Sequence, residues 1–258
     1  MKDNMWENTY QPKLRGEYGY DFANADTDPM DDEGHGTHCA GIIGAKGDNG
    51  VGVSGMNHNV KIMALKALDE NGSGSDSDLI DAYNYINKAI NLGVNVAAIN
   101  DSWGGEGKST IFKKLMDLVG AKGAVSVCAA GNESADNDET ATYPANDDCA
   151  YKISVAATNE KGELSNYSNY GKEKVDIAAP GSDILSTYAE DCYNPSIYSA
   201  EKQKEVTQKL ADFNGESSWA EWNPENIRIT STTEGKESNY KAELSDDNFG
   251  DADGKSLK

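Results

Sequence analysis

The chain has 258 residues, of which 44 are acidic and 23 basic, so its formal net charge is −21 at pH 7. A charge of this sign and size repels nucleic-acid phosphates and anionic membranes, and we expect neither as a partner. No run of roughly 18 or more apolar residues occurs, and the first residues contain no apolar core of the signal-peptide kind. We therefore expect no membrane span and no signal peptide in this chain.

The first 34 or so residues are polar, and strand-like and helix-like segments alternate from His35 to Thr187. Short, nearly continuous apolar runs are typical of strands that are buried on both faces. The predicted strands are Val60–Leu65, Val94–Asn100, Ala124–Ala130, Ile153–Ala157 and Val175–Ala178.

Apolar residues recur at helical spacing in two segments between these strands. The first set is Leu79, Tyr83, Ile86 and Ile90, and the second is Ile111, Leu115 and Val119. Asp76 or Ser77 is the predicted N-cap of the first helix, and Ser109 that of the second. Strands that alternate with helices predict an α/β fold, a three-layer parallel sheet with helices on both faces.

The composition changes again after Thr187, where the chain becomes polar and rich in Ser, Asn, Glu and Lys. We predict a helix at Ala200–Phe213, followed by strands at Ile227–Thr232 and Tyr240–Leu244. The expected organisation is a main domain over 1–187 and the start of an inserted or appended module over 188–258.

Four cysteines occur, without a Cys-x-x-Cys pair or zinc-finger spacing. Cys39 and Cys128 lie in small, apolar stretches, which favours buried free thiols. Cys149 and Cys192 have polar surroundings and could form a disulfide, which spacing alone does not decide.

Two of the three histidines lie in one segment, Gly34-His35-Gly36-Thr37-His38-Cys39-Ala40-Gly41. The small residues around His35 favour a helix whose first turn packs closely against other backbone and presents the imidazole at a cleft. An alternative is a metal-binding α/β protein in which His35 and His38 share zinc, but this needs a third ligand and the segment contains no His-Glu-x-x-His pattern.

A second polar group ends a predicted strand, because Asn132 follows Ala129-Ala130-Gly131 directly. In a parallel sheet, such a position lies at the carboxyl edge of the strands, where ligands bind.

Together these segments resemble the subtilisin family, in which His-Gly-Thr-His-x-Ala-Gly carries the histidine of the catalytic triad. The resemblance implies that His35 is the general base and acid, that Asn132 donates a hydrogen bond to the oxyanion, and that His38 is a structural neighbour. Further similar segments follow in the family's order, at Tyr143–Ala145, Ser165–Gly171 and Asp176–Thr187.

The resemblance also implies two edges that hold a polypeptide substrate as an added strand, with glycines that permit close approach. The residues of these edges are Gly72, Ser73, Gly74, Ser102, Trp103 and Gly104.

A loop after the His35 helix, Lys46–Val53, resembles a family calcium loop built from Asn and main-chain oxygens, although it is one residue longer. Asn49, Val51 and Val53 are its predicted ligands, and oxygen donors of this kind suit calcium. The alternating acidic residues before Pro29 are a weaker candidate, because an EF-hand requires glycine at that position.

Two members of the family's Asp, His, Ser triad are not found. No apolar strand ending in Asp-Thr-Gly or Asp-Ser-Gly precedes His35, and no Gly-Thr-Ser-Met-Ala segment follows Thr187. The nearest string to the latter, Gly215-Glu216-Ser217-Ser218-Trp219-Ala220, replaces its Thr with Glu and a small residue with Trp. We expect a catalytic domain truncated at both ends, with the serine beyond Lys258.

The leading interpretation is a serine-type endopeptidase of subtilisin type, secreted or at the cell surface by family, and inactive as this chain alone. The alternative is a pseudoprotease that uses the cleft to bind peptides without cleaving them. His35 and Asn132 favour the enzyme, because a pure binding module does not need an oxyanion donor.

Overall fold

The computed structural model describes residues 2–189 and four two-residue strands beyond them. The chain divides into two units, 1–48 with 53–193 and 49–52 with 194–258. In the second unit, Ile229–Thr230 pairs with Glu237–Ser238 and Leu244–Ser245 pairs with Ser256–Leu257, both antiparallel. The helix predicted at 200–213 lies outside the described residues, and the module boundary at 187/188 stays a prediction.

A four-stranded parallel sheet forms the centre of the first unit. Its strands are adjacent in chain order, β3 (Ala98–Asp101), β4 (Val125–Ala129), β5 (Lys152–Thr158) and β6 (Ile177–Pro180). A separate parallel pair joins β1 (Gly19–Asp21) to β2 (Ala64–Lys66). The predicted α/β class with a parallel sheet is confirmed.

The strand predictions differ from the structure in their bounds, in one missed strand and in burial. The strand predicted at Val60–Leu65 overlaps β2 only at its last two residues, and the one predicted at Val94–Asn100 begins at Ala98. β1 lies in the polar N-terminal region and was not predicted, since Gly-Tyr-Asp forms a strand only by pairing with β2. Burial on both faces is wrong for β3, in which Ala98 and Asn100 are exposed while Asp101 is buried. It is also wrong for β6, in which Ile177 and Ala178 are exposed.

Between residues 2 and 189, three α-helices accompany the sheets: α1 (His35–Gly44), α2 (Asp76–Asn91) and α3 (Thr110–Gly120). The predicted cap Ser109 is confirmed, because its side chain accepts a hydrogen bond from the N–H of Phe112. The predicted N-cap of α2 is wrong by one residue, since Ser75 is the N-cap and its side chain accepts a hydrogen bond from the N–H of Asp78. Asp76 is instead the first helical residue, where its charge favours the helix dipole. No helix in the described part of the chain is long and apolar enough to cross a bilayer.

The main core lies between α2, α3 and the sheet, with Tyr83 and Ile86 packed against Phe112, Met116 and Val119. A second core contains Leu14, Tyr85 and Ala89 and lies on the other side of α2. Burying a side chain of this size stabilises the fold by about 1.5–3 kcal/mol.

The described cysteines, Cys39, Cys128 and Cys149, are free thiols. Cys128 is buried as predicted, whereas Cys39 is partly exposed. Cys149 is buried, and Cys192 lies outside the described residues.

Candidate active site

The carboxylate of Asp31 holds the first turn of α1, the helix that carries His35. One oxygen of Asp31 accepts the N–H groups of Glu33 (3.1 Å) and Gly34 (2.8 Å), and the other accepts the N–H (2.7 Å) and hydroxyl (2.6 Å) of Thr37. Burial raises the pKa of Asp31, but these hydrogen bonds outweigh it and hold the pKa below its ordinary value. Asp31 therefore fixes the first turn of α1 as an anion.

The turn before α1 needs glycine at position 34. Gly34 has φ +106°, in the left-handed region, and an added Cβ would overlap the ring of Tyr188. The small residues around His35 predicted close packing against backbone, whereas the close neighbour of Gly34 is the side chain of Tyr188.

His35 is the first residue of α1, and its side chain is exposed. Its Nε2 lies 3.6 Å from the Sγ of Cys39, one helical turn further on. The hydrogen bond with Cys39 is the largest cause of a raised His35 pKa, with the charges of Glu33 and Asp31 adding to it. The sequence alone did not indicate this thiol–imidazole contact, although the spacing of four residues contains it.

His38 has a different environment, because its Nε2 lies 3.0 Å from the main-chain oxygen of Ile184. The hydroxyls of Ser186 and Thr187 donate to the carbonyls of His38 and Thr37. The segment 184–187 is thereby attached to α1. Among the described residues, no three His, Cys, Asp or Glu side chains are grouped to hold a metal, so the zinc alternative has no third ligand there.

Asn132 lies three residues beyond the end of β4 and is exposed. Within the described residues its side chain makes no hydrogen bond, so the amide is available to a ligand. Gly131 before it has φ +119°, and an added Cβ would overlap the Nδ2 of Asn169.

A buried amide, Asn169, supports this segment from below. Its Oδ1 accepts the N–H groups of Glu133 (2.8 Å) and Ala135 (3.1 Å), and its Nδ2 donates to Ala130 O (3.2 Å). Asn137 donates to the same carbonyl at 2.8 Å. These bonds fix the backbone on both sides of Asn132.

The first predicted substrate edge lies at the end of the loop before α2, and the second lies at the start of the loop after β3. Gly72 and Ser73 form a turn closed on Asp69, while Gly74 is packed against Ala67 and Leu68. The segment of Ser102, Trp103 and Gly104 follows β3, and the adjoining Gly105 pairs with Tyr143 in both directions (2.9 and 2.8 Å).

A small pocket lies beside the second edge, and none of the three residues of the first edge lines it. It is lined by Trp103 of the second edge and by Asp76, two residues beyond the first, with Leu79, Phe112 and Tyr143 between them.

Asp101, the last residue of β3, is a buried carboxyl that the sequence analysis did not single out. It is 3% exposed and accepts hydrogen bonds from Tyr83 Oη (2.6 Å) and Trp103 Nε1 (3.2 Å). Burial raises its pKa to about 6. An acidic residue at the end of an apolar run is the signal that could have identified it.

Among the described residues, the structure adds no candidate for the aspartate or the serine that would complete the triad with His35. Asp21 ends β1 and is buried, but its oxygens bind Asn24 and Lys66. Lys66 also contacts Asp32 at 3.0 Å, which connects β1 and β2 to the segment before α1. The string at 215–220 lies outside the described residues.

In the candidate calcium loop, Asn49 Oδ1 accepts the N–H of Val51 at 3.0 Å. Because a carbonyl oxygen has two lone pairs, one remains for a ligand. Val53 is partly buried, and Val51 is 53% exposed.

Comparison with known proteins gives a consistent result. The model of the subtilase family matches residues 1–235. The thermophilic serine proteinase of Bacillus sp. (strain AK1) is 42% identical over 185 residues, 70% of this chain and 43% of that protein. The minor extracellular protease Epr of Bacillus subtilis (strain 168) is 37% identical over 177 residues, 68% of this chain and 25% of that protein.

A crystal structure of a cold adapted subtilisin-like serine proteinase has a TM-score of 0.58 and 33% identity to this chain. The match covers 68% of this chain and 59% of that one. The chain spans less than half the length of each of the two Bacillus relatives named above.

The fold and the two polar segments define an α/β protein with an imidazole at a helix start and an amide beyond a strand end. With a family match over most of its length, the chain belongs to the subtilase family.

Proposed function

We propose that this chain supplies the general base and the oxyanion donor of a serine-type endopeptidase. The observation that carries the proposal is His35 at the first position of α1, inside Gly-His-Gly-Thr-His and inside the family match. Asn132 supports it independently, because its amide is exposed and unengaged within the described residues while the backbone around it is held by Asn169.

His35 and Asn132 have different roles in the proposed reaction. In acyl transfer, an imidazole takes the proton of the nucleophilic hydroxyl and returns it to the leaving amine. The Asn132 amide donates to the oxygen that becomes negative in the tetrahedral intermediate. Donors fixed before the reaction stabilise this charge without reorganising.

The substrate in this proposal is a polypeptide, held as an added strand along Gly72–Gly74 and Ser102–Gly104. We also propose secretion or attachment to the cell surface, for which the relative named as an extracellular protease is the support.

The test is peptide hydrolysis by the protein as it is naturally produced. His35→Ala is expected to abolish turnover, with a loss of about 10⁶ as in related enzymes. Asn132→Ala is expected to lower kcat by about 10²–10³ with little change in KM. His58→Ala, whose ring contacts Ser54, is the matched control. Full activity of His35→Ala would refute the proposal, and peptide binding without any hydrolysis by the natural protein would favour the pseudoprotease.

We further propose that the loop from 49 to 53 binds calcium through the Asn49 side chain and the carbonyls of Val51 and Val53. Oxygen donors without a soft ligand suit Ca²⁺, and the negative chain attracts cations generally. Added CaCl₂ is expected to raise the thermal midpoint of the chain more than MgCl₂ at equal ionic strength, and Asn49→Ala to reduce that difference. Equal midpoints in the two salts would contradict the site.

A further inference from the structure

The side chain of Asn169 is a fully buried amide with hydrogen-bond partners at both its oxygen and its nitrogen. Its Oδ1 accepts the N–H groups of Glu133 and Ala135, at 2.8 and 3.1 Å. Its Nδ2 lies within 3.3 Å of four oxygens, which belong to Ala130, Glu133, Asn137 and Thr142. A carboxylate of the same shape would face these four oxygens without a hydrogen of its own to donate. The surroundings of this side chain therefore require an amide.

The main chain around Asn132 is held on both sides by this one residue. Asn169 binds the two N–H groups that follow Asn132, and it also holds the two carbonyls that precede it. Its Nδ2 donates to Ala130 O at 3.2 Å, and its own N–H donates to Gly131 O at 3.0 Å. The N–H of Asn132 is held indirectly, because it donates to Glu133 Oε2 (3.0 Å), which also accepts from Asn169 Nδ2 (2.7 Å). The backbone position of Asn132 is thus set by Asn169.

The second substrate edge has a support of its own. Gly105, which adjoins that edge, exchanges two main-chain hydrogen bonds with Tyr143, at 2.9 and 2.8 Å. The N–H of Thr142 is in turn accepted by Asn146 Oδ1 at 3.1 Å. These bonds do not involve the buried amide, so its loss would move the oxyanion donor relative to an edge that stays in place.

We propose that Asn169 is a positioning residue for the oxyanion donor, which sets the place of the Asn132 amide relative to the substrate carbonyl without touching the substrate. This role rests on the proposed function, since it presupposes that Asn132 is the donor. Donors stabilise an oxyanion when they are held in position before the reaction, and a misplacement of about 1 Å can cost about 10² in rate. Loss of the Asn169 amide is therefore expected to lower turnover more than substrate binding.

The first measurement is peptide hydrolysis by the protein as it is naturally produced. The principal variant is Asn169→Asp, which keeps the shape of the side chain and loses its donor. It is expected to lower kcat by about 10², with a change in KM of less than about threefold. Asn8→Ala is the matched control, because Asn8 also bonds main-chain groups through both its oxygen and its nitrogen. It is expected to lower the thermal midpoint and to leave kcat unchanged.

A double-mutant cycle separates positioning from general damage to the fold. In Asn132→Ala the donor is already absent, so the addition of Asn169→Asp is expected to lower kcat by less than about threefold more. Losses that multiply in full would overturn the positioning role. An unchanged kcat in a folded Asn169→Asp, beside a lowered kcat in Asn132→Ala, would overturn it as well. An unchanged kcat in Asn132→Ala would instead refute the proposed oxyanion donor.

The second measurement uses this chain and does not require activity. The backbone ¹⁵N order parameter of Asn132 is expected to be about 0.85 in the wild type and in Asn8→Ala, and to fall below about 0.6 in Asn169→Asp. If Asn169→Asp does not fold, Asn169→Ser, which removes the amide and adds no charge, replaces it in both measurements. An order parameter and a chemical shift of Asn132 that are both unchanged in the folded variant would contradict the positioning role.

Discussion

At the scale of single residues, the proposed general base, His35, has its closest side-chain partner within its own helix, α1. His35 and Cys39 are four residues apart, so they lie on one face of α1, and the Nε2–Sγ separation is 3.6 Å. The raised His35 pKa stems first from this contact. A higher pKa keeps the imidazole protonated over a wider range and so moves the pH at which it can act as a base.

Replacing Cys39 by Ala is expected to lower the pKa of His35, because the largest cause of its elevation is removed. The pH titration of the imidazole Cε1–H signal by NMR measures this pKa directly. Cys149→Ala is the control, since Cys149 is a buried free thiol for which no contact with His35 is found among the described residues. An unchanged or higher His35 pKa in Cys39→Ala would contradict the assignment.

Asp101 gives a second prediction, on stability. Its pKa is about 6 in the folded chain and near 3.9 when unfolded, so the folded state holds the proton more tightly. Its contribution to stability is therefore largest below the unfolded pKa and is lost as pH rises through about 6. Asp101→Asn carries no titrating carboxyl at this position, so its stability does not fall with rising pH for this reason. The free energy of unfolding of Asp101→Asn minus that of the wild type is expected to rise by about 1 kcal/mol between about pH 5 and pH 8. Urea unfolding at the two pH values measures it, and a constant or falling difference would contradict the raised pKa.

At the scale of elements, α1 depends on Asp31, which satisfies three main-chain N–H groups before and within its first turn. Removal of a capping side chain costs about 0.5–2 kcal/mol, and hydrogen bonds to a charged group are stronger than average. Asp31→Ala is therefore expected to destabilise the chain by about 2 kcal/mol at neutral pH, as measured by urea unfolding. Asp28→Asn, on an exposed carboxylate of the same region, is expected to change little. Equal effects of the two substitutions would refute the capping role.

The elements with strong apolar periodicity are those that sequence predicted well. Tyr83 and Ile86 identified α2, and Ser109 identified the start of α3, because local patterns determine both. β1 escaped prediction, since its residues carry no apolar run and its register comes from β2, some 45 positions later. The Ser75 cap was misplaced by one residue, the usual uncertainty at helix ends.

The site was predictable in part, for a similar reason. His35 and Asn132 lie in short motifs that can be read without a structure. The position of Asp101 at the end of an apolar run could have been noticed, but neither its role nor that of Asp31 could be predicted, because an acidic residue acquires its role from the donors that the fold brings to it. In Asp101 those donors come from α2 and β4 as well as from the adjacent loop.

At the scale of the whole molecule, the family match and the fold are those of a subtilase, while the motifs of two triad members are not found in the chain. Triad residues act as a unit, so a chain with His35 and Asn132 but without the serine segment is expected to have no meaningful peptidase activity. The substrate edges do not require the serine, and peptide binding is expected to persist in this chain.

The most direct test of this account is reaction of the chain with a fluorophosphonate probe, which labels activated serines, followed by mass-spectrometric mapping. We predict no specific labelling, together with no cleavage of a chromogenic peptide. Ser217→Ala and Ser218→Ala are the controls for the one similar string in the sequence. A serine in this chain that is labelled specifically, and whose labelling is lost in His35→Ala, would show that the chain contains a complete active site and would contradict the account.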